Sequence, residues 1–339
     1  ALLEKLLTGA HVTIAGRLAG AFRHLGRNDI ADDILAAMKS AGFDIRQSDP
    51  FEADAQPSST SGLLTTSTMV GRLEHLWASA RETVLRNFPR PPASPRDLPS
   101  YLEAVDDIYV HDAYHSLSIE GYRVTPDLIA SIASTEVVPD EREGNEKERD
   151  EAHAKYDDAL AARGYYQAFR LVRRAVARFY RTEDPTFLRE NHRAWYRELF
   201  APHVAVGLLD PSLLAGYRRH PVFLRGSRHI PPRWEILGET MPALFDLLEV
   251  EPDGAVRAIL GHWLFGYLHP FPDGNGRLAR FVMNALFATA GYPWTVIHLK
   301  ERRRYLDSLE QASVGGDIAP FVAFVASQMR RSESRQGLD

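Results

Sequence analysis

The sequence predicts an all-α protein, and three observations lead to this expectation. From residue 101 onward, apolar side chains recur at helical spacing. The interruptions between these stretches are short and rich in proline or glycine, which end helices. Only one segment, His220–Leu237, has the β-branched and aromatic character of a small β-hairpin, with Gly226-Ser227 at its turn.

The first 49 residues are predicted to form a small separate helical module. Apolar residues at helical spacing lie on both sides of Gly26 and Asn28, which indicates two short helices joined by a turn. Such a pair could bind a partner or, as a helix-turn-helix, read DNA. Its six basic residues are matched by six acidic ones, and this balance argues against nucleic acid as a partner. Residues 50–66, rich in Pro, Ser and Thr, are predicted to be a linker.

The rest of the chain is predicted to divide into an N-terminal helical part, residues 67–189, and a core part, residues 190–330. A helix is expected over Met69–Arg86, followed by an extended proline-rich connector. The net charge of the chain is −5, and seven acids against three bases give residues 140–151 a net charge of −4. This run is expected to be a solvated loop and helix start.

Composition excludes several classes of protein. The chain is 45% hydrophobic and 25% charged, which excludes a disordered or collagen-like protein. It has no cysteine, so disulfides, thiolate nucleophiles and cysteine-based metal sites are excluded. No apolar run approaches the ~18 residues that span a bilayer, and the first residues show no secretory signal. We therefore expect a cytoplasmic protein without a membrane partner, and the scattered histidines show no metal-ligand spacing.

The most informative segment is HPFPDGNGRLAR, residues 269–280. It lies between two apolar helices, one opened by Pro252-Asp253 and the other closed by Gly291. Two glycines at a helix N-terminus allow backbone N–H groups to approach an anion. Arg277 and Arg280 lie three residues apart, so both project from the first turn toward that place. The segment therefore predicts a polyphosphate site.

Two further side chains add chemistry to this loop. A carboxylate at Asp273 has the wrong sign for phosphate alone, but it fits if Mg²⁺ bridges it to phosphate oxygens. His269 has a pKa class suited to accepting a proton from a hydroxyl near neutral pH. The run GNGRLA is not a dinucleotide fingerprint, because a helix rather than a strand precedes it, and no P-loop motif is present.

The segment resembles the Fic (Fido) family, whose motif H-x-F-x-[D/E]-G-N-G-R-x-x-R it matches at every fixed position. The GSRHIPP stretch looks like the family's flap, a hairpin that docks target segments. The predicted flap residues are Gly226, Ser227, Arg228 and His229. The resemblance covers roughly residues 67–330 and implies a Fic-type helical bundle.

This resemblance implies an enzyme that transfers a nucleoside monophosphate, usually AMP from ATP, to a Ser, Thr or Tyr hydroxyl of a target protein. His269 would be the general base, and Phe271 would anchor the loop in the core. Asp273 would hold Mg²⁺ as the cofactor. The other motif positions would bind the phosphates, with Gly274, Asn275 and Gly276 at the α- and β-phosphates, Arg277 at the β-phosphate and Arg280 at the γ-phosphate. The pocket for the base is expected near Tyr305.

A second family feature lies upstream, in HSLSIEGY at residues 115–122. Ser116 to Gly121 is similar to the family's inhibitory helix motif, [S/T]-x-x-x-E-[G/N]. The resemblance implies that Glu120 pairs with Arg280 and removes it from the γ-phosphate. Tyr122 departs from the pattern, because relatives often carry Asn there.

Several alternatives stay open at this stage. The same scaffold could use another nucleotide, or remove AMP with Glu120 aligning a water. A third alternative is a nucleotide-sensing transcriptional regulator with residues 1–49 as the DNA reader. Relatives with an inhibitory helix often form dimers, so a homodimer is also open. The expected partners are ATP and a target protein docked at the flap.

Overall fold

The computed structural model describes residues 12–41, 47, 68–91, 97–134 and 146–335. The chain divides into two compact units, Ala1–Thr65 and Thr66–Asp339. The predicted linker lies outside the described residues, as do the first part of the acidic run, residues 140–145, and residues 92–96 of the proline-rich connector. The predicted boundary between residues 189 and 190 falls inside the second compact unit, so it remains a prediction from the sequence.

The described ranges contain twelve α-helices and no β-strand, which confirms the all-α prediction. In chain order they are α1 Val12–His24, α2 Asn28–Ser40, α3 Thr68–Asn87, α4 Leu98–Glu120, α5 Pro126–Ser134, α6 Glu146–Thr182, α7 Phe187–Ala205, α8 Leu237–Val250, α9 Gly254–Leu268, α10 Asn275–Thr289, α11 Arg302–Glu310 and α12 Ala319–Arg335.

The first unit is the predicted pair of short helices. Helices α1 and α2 are joined by a turn in which Gly26 adopts a left-handed conformation, with φ of +73°. Small and apolar side chains fill the space between them, namely Ala15, Ala19, Ala31, Ile34 and Met38. An ion pair of 2.5 Å between Arg23 and Asp32 spans the two helices on their exposed side.

The core of the second unit is built around α9 and α10. Helix α9 is apolar on all sides, and 12 of its 15 residues are buried, as expected for a helix surrounded by others. The Asp253 side chain caps its N-terminus by accepting a hydrogen bond of 2.9 Å from the backbone N–H of Val256. Gly291, with φ of +78°, follows α10 where the sequence predicted a terminating glycine. These two helices hold the 269–274 loop between them.

A close helix crossing positions the wall of the site. Helices α6 and α7 meet at Gly164, where an added Cβ would overlap the backbone carbonyl of Leu199. Only glycine allows this approach, and it brings Tyr196 and Phe200 of α7 toward the loop that precedes α10. The aromatic face of α7 is therefore fixed by backbone packing.

Candidate active site

The loop begins at a strained residue. His269 ends α9 in the left-handed conformation, with φ of +49° and ψ of +59°, and its backbone N–H still donates to Phe265 O at 3.0 Å. A non-glycine residue in this region costs about 1–2 kcal/mol, so the surrounding structure must enforce it. Pro270 then prevents the helix from continuing. His269 is therefore both the C-cap of α9 and the first residue of the loop.

Phe271 and Asn275 fasten the loop to the protein interior. The Phe271 ring is fully buried and stacks on Tyr196, with ring centroids 3.9 Å apart and planes 13° from parallel. The Asn275 side chain accepts from Phe271 N at 3.0 Å and donates to Phe271 O at 2.8 Å. These two hydrogen bonds satisfy both backbone groups of Phe271, and they confirm its expected position as the anchor.

Two glycines permit close approach at the N-terminus of α10. Gly274 occupies the N-cap position with φ of +76°, and an added Cβ there would lie 2.9 Å from the Phe200 ring. An added Cβ on Gly276 would overlap the carboxylate of Glu120. The partial positive charge of the helix N-terminus favours an anion at this place, and a carboxylate already lies there.

Arg277 is almost completely buried, at 1% exposure. Its guanidinium lies 5.2 Å from the ring centroid of Tyr122 and 5.0 Å from that of Phe200. Its Nη2 donates to Asp273 at 3.3 Å, whereas its Nε and Nη1 have no hydrogen-bond partner in the structure. A buried guanidinium with two unsatisfied N–H groups is a ready binding group for phosphate oxygens.

Arg280 donates hydrogen bonds to residues at the end of α4. Its Nε donates to Ser116 Oγ at 2.8 Å, and its Nη2 donates to Ser116 O at 3.0 Å and to Glu120 Oε1 at 2.7 Å. Its Nη1 is buried without a partner. Ser116 and Glu120 are therefore brought to the motif arginine, as the family resemblance implied.

The charge balance stabilises the ionised form of Glu120. Its side chain is 31% exposed. Burial by itself would raise the pKa of Glu120, but the nearby Arg280 and then Arg277 outweigh this effect and hold the pKa below its usual value. Glu120 is thus a carboxylate at neutral pH, bound to Arg280 and close to the charge of Arg277.

His269 is arranged to be neutral. Burial lowers its pKa to about 4, and Arg218 adds to this effect, while Asp273 and Glu120 oppose it. The backbone of Gly266 also acts against the fall in the pKa. A neutral imidazole has one ring nitrogen whose lone pair can accept a proton.

Asp273 fits the role of a magnesium ligand. Its side chain is 70% exposed, so water and an ion can reach its oxygens. It lies 3.3 Å from Arg277, whose unsatisfied N–H groups mark where phosphate oxygens would sit beside it. One carboxylate next to a phosphate site is a donor set that Mg²⁺ prefers.

A cavity of about 310 Å³ borders Glu120 and runs toward α6. Its lining comprises Glu120, Gly121, Tyr122, Arg123, Ala154, Asp157 and Asp158. Three carboxylates line this space, so its charge disfavours phosphate. The side of Glu120 that faces Arg277 and Arg280 is better suited to bind a polyphosphate.

Comparison with known proteins decides the family. Residues 184–287 match the profile of the Fic/DOC family. The chain carries a Fic/DOC domain. A protein adenylyltransferase Fic from Nematostella vectensis is 31% identical over 235 residues, which cover 68% of this chain and 49% of that protein. One from Culex quinquefasciatus is 30% identical over 250 residues, 70% of this chain and 45% of that protein. The chain thus spans about half the length of these curated relatives.

Solved structures share the Fic/DOC fold with this chain. A Fic domain containing signaling protein from Bacteroides thetaiotaomicron matches with a TM-score of 0.55 at 19% identity, over 79% of this chain and 95% of that one. Fic-1 from C. elegans also matches with a TM-score of 0.55, at 17% identity, over 98% of this chain and 91% of that one. Within the described ranges, no helix combines the length and the apolar character that crossing a membrane requires.

The predicted hairpin of the Fic/DOC domain is not a β-hairpin here. The segment turns at Arg225-Gly226, but it forms no ladder. The prolines at 221, 231 and 232 lack the N–H donors that a ladder needs. Side chains hold it instead: Glu310 of α11 accepts hydrogen bonds from Ser227 Oγ and, at 2.9 Å, from Arg228 N.

His229 and Arg218 anchor this segment to the Fic/DOC motif. His229 is only 8% exposed and its Nε2 lies 2.8 Å from Tyr267 O, so it holds the flap rather than presenting a free side chain. Arg218, 2% exposed, donates from Nε to His269 O at 2.8 Å and from Nη1 to His220 O at 3.0 Å. Its backbone N–H donates to Pro270 O at 2.8 Å. The role of Arg218 was not predictable from the sequence, because no local pattern marks an arginine that binds carbonyl groups.

Tyr305, expected near the pocket for the base, is buried, and its role in binding a base stays a prediction. It is 2% exposed, and its hydroxyl lies 2.8 Å from Nε2 of the buried His262. Burial raises its pKa to about 12, although the neighbouring Arg280 opposes this effect. Tyr305 therefore lies among the buried groups beside Arg280.

Three of the histidines, for which no metal-ligand spacing was expected, lie close together in the structure. His111 and His115 are four residues apart on α4, and the fold brings His298 to them. The i, i+4 spacing was readable from the sequence, whereas the third histidine is 183 residues further along the chain. None of the three belongs to the Fic/DOC motif.

Proposed function

We propose that this chain is a protein adenylyltransferase held in an inhibited conformation. It transfers AMP from ATP to a hydroxyl group of a target protein. The observation that carries this proposal is the Glu120 carboxylate, which is bound to Arg280 and packed on Gly276 at the N-terminus of α10. A site that holds one anion against a helix N-terminus and two buried arginines suits phosphate. The names of the curated relatives support the activity.

The chemistry follows from the arrangement of the loop. The hydroxyl oxygen of the target attacks the α-phosphorus of ATP, and the bond from that phosphorus to the oxygen bridging to the β-phosphate breaks. His269 takes the hydroxyl proton, and pyrophosphate leaves with the bonding electrons. Arg277 and the backbone N–H groups at Gly274 and Gly276 stabilise charge on the phosphate oxygens. Asp273 would hold Mg²⁺, which supplies positive charge to the phosphates when bound.

Inhibition follows from competition for Arg280. Glu120 and the Ser116 carbonyl both accept from Nη2 of Arg280, and Ser116 Oγ accepts from its Nε. While the Glu120 contact persists, the γ-phosphate cannot bind at Nη2, so ATP binds without the contact that aligns it for transfer. Loss of the Glu120 charge removes this competitor and leaves every motif residue in place.

The test is incorporation of label from ATP carrying ³²P at the α-phosphate, in the presence of Mg²⁺. We expect weak labelling of protein by the wild-type chain. Glu120→Gly and Glu120→Gln should raise it about 10- to 100-fold, the range corresponding to one charge-assisted hydrogen bond. His269→Ala should abolish labelling both in the wild-type chain and in the Glu120 variants. Glu103→Gln, an exposed glutamate on the same helix, is the matched control and should leave labelling at the wild-type level.

Two results would contradict the proposal. Labelling that persists in His269→Ala would remove the histidine from its role. Equal labelling in Glu120→Gln and Glu103→Gln would show that the observed grip on Arg280 does not restrain transfer. ATP labelled only at the γ-phosphate should give no incorporation, which separates AMP transfer from phosphorylation.

Other expectations from the sequence remain predictions under this proposal. A panel of nucleotides with mass spectrometry of the adduct distinguishes AMP from another transferred group, and preformed AMP-protein tests removal. We expect a target protein and a homodimer from the family resemblance. We expect the cytoplasmic location from composition. DNA binding by residues 1–49, the regulator alternative, is tested by its salt dependence.

A further inference from the structure

Three histidines outside the phosphate site come together where α4 meets the segment leading into α11. His111 and His115 lie on one face of α4, one turn apart, and His298 precedes the short 3₁₀ turn Leu299–Glu301. One ring nitrogen of each lies within 4.8 Å of those of the other two. The ring centroids are separated by 4.4 Å between His111 and His115, 4.6 Å between His115 and His298, and 5.1 Å between His111 and His298.

We propose that His111, His115 and His298 form a binding site for Zn²⁺. Imidazole is a preferred ligand of Zn²⁺ and a poor one for Mg²⁺, which selects oxygen. Three histidines leave a fourth tetrahedral position for water. With zinc–nitrogen distances of about 2.0–2.1 Å, the ligand nitrogens must lie about 3.4 Å apart. The ligand nitrogens lie within 4.8 Å of one another, so binding requires closure by up to about 1.4 Å, which side-chain rotations supply.

The three side chains sit on packed elements rather than on a free loop. His298 is 6% exposed, and its backbone N–H donates to Gln328 Oε1 at 3.4 Å. The Tyr114 ring packs beside His115, with centroids 5.0 Å apart. Nearby, Arg302 Nε donates to Ile119 O at 2.7 Å and ties the end of α4 to the start of α11. Ligands held in this way lose little side-chain entropy when a metal binds.

Metal binding would change one hydrogen bond in a defined way. His115 Nδ1 accepts from Leu299 N at 3.1 Å, so the proton of the neutral ring lies on Nε2. Ligation through Nδ1 displaces the Leu299 N–H, and ligation through Nε2 moves the proton to Nδ1. Either route breaks the bond to Leu299. The backbone amide of Leu299 is therefore a local reporter of occupancy.

This site is independent of the proposed transfer reaction. Its ligands are nitrogen atoms from α4 and from residue 298, whereas the phosphate site offers the carboxylate of Asp273. The two sites call for different metals, since Mg²⁺ takes oxygen ligands and Zn²⁺ takes imidazole. Zinc binding is therefore measured without nucleotide and without any activity assay, and its failure would leave the adenylyltransferase proposal untouched.

The experiment titrates the full chain, free of nucleotide, with ZnCl₂ by isothermal calorimetry and with CoCl₂ by visible absorption. We expect one equivalent to bind at this site and the cobalt complex to show the intense visible bands of tetrahedral coordination. Excess MgCl₂ should not compete. His298→Ala and His111→Gln should each weaken binding by more than about 100-fold, since loss of even an outer-sphere partner of a ligating histidine costs about 10- to 100-fold. His75→Ala, an exposed histidine on α3, is the matched control.

Far-UV circular dichroism verifies that each variant is folded. If the buried His298→Ala does not fold, the partly exposed His111→Gln decides the question. The proposal is overturned if the wild-type chain binds no zinc, if binding survives in His111→Gln with the affinity of the His75→Ala control, or if cobalt shows only weak octahedral bands. An amide spectrum in which zinc leaves the Leu299 resonance unmoved would also overturn it.

Discussion

The carboxylate of Glu120 lies where the side chain of any residue larger than glycine at position 276 would begin. The last turn of α4 and the first turn of α10 are thus in direct contact through a carboxylate and a bare α-carbon. The contact puts the negative charge at the positive end of α10. It also makes the effects on stability of substitutions at positions 120 and 276 depend on each other, and this dependence can be measured.

Gly276→Ala should destabilise the protein only while Glu120 is present. In the wild-type background the new methyl group overlaps the carboxylate, and we expect the free energy of unfolding to fall by about 1–3 kcal/mol. In a Glu120→Ala background the same change should be neutral or stabilising by up to about 1 kcal/mol, because alanine favours helix over glycine. Urea denaturation of the four proteins gives the coupling energy. Identical effects in both backgrounds would show that the two groups do not touch.

The pKa of His269 should be far below that of an ordinary histidine. Burial lowers it from 6.5 to about 4. The unfolded chain binds a proton at this site below pH 6.5 whereas the folded chain does not, so this group's contribution to stability is present above pH 6.5 and is lost as the pH falls to about 4. Histidine carbon NMR, with His269→Ala used to assign the resonance, measures the value. Titration near pH 6.5 would contradict the burial of the ring and its neutral state.

Asp112 should make the protein less stable as the pH rises. It is 4% exposed and accepts a hydrogen bond of 2.6 Å from Tyr165 Oη. Burial raises its pKa to about 6. Between pH 4 and 6 the folded chain holds a proton that the unfolded chain has lost, so this group's contribution falls over that interval. Asp112→Asn keeps an acceptor for Tyr165 and should be more stable than wild type by about 1–3 kcal/mol at pH 7, with no gain at pH 4.

The matched control for this prediction is Asp107→Asn, an exposed carboxylate on the same helix. Urea denaturation from pH 4 to 7 compares the three proteins. A gain at pH 4 equal to that at pH 7, or the same pH profile for both variants, would show that the Asp112 carboxyl does not titrate within this interval.

Arg218 should be essential to the conformation around His269. Its guanidinium donates to the carbonyl groups of His269, His220 and Pro232. Arg218→Ala leaves these acceptors without their charged donor, and we expect a loss of about 2–3 kcal/mol in the free energy of unfolding. Arg218→Lys should recover only part, because an ammonium group lacks the planar fork. The neighbouring Arg219, which is exposed, supplies the control Arg219→Ala; equal losses for the two alanine variants would contradict the assigned role.

Local sequence patterns predicted most of the fold and the central loop of the site. Helical spacing, the cap at Asp253 and the terminating Gly291 predicted α9 and α10 closely, because those features act within a few residues. The motif loop was predictable for the same reason. The Glu120–Arg280 contact was predictable only through family resemblance, since 160 residues separate the two.

The features that the sequence did not predict share a physical origin. The burial of Tyr305 against His262 depends on tertiary packing that spacing does not encode. The expected hairpin failed because side chains such as Glu310 replaced backbone pairing. Arg218 and His298 act on groups far away in sequence, and no local period marks them.

Helix α11 has a different contact at each end. At its start Arg302 donates to the carbonyl of Ile119 near the end of α4, and at its finish Glu310 accepts hydrogen bonds from the turn at Ser227 and Arg228. The helix has nine residues and is about 13 Å long. One short helix therefore links the surface turn to the last turn of α4, which carries Glu120.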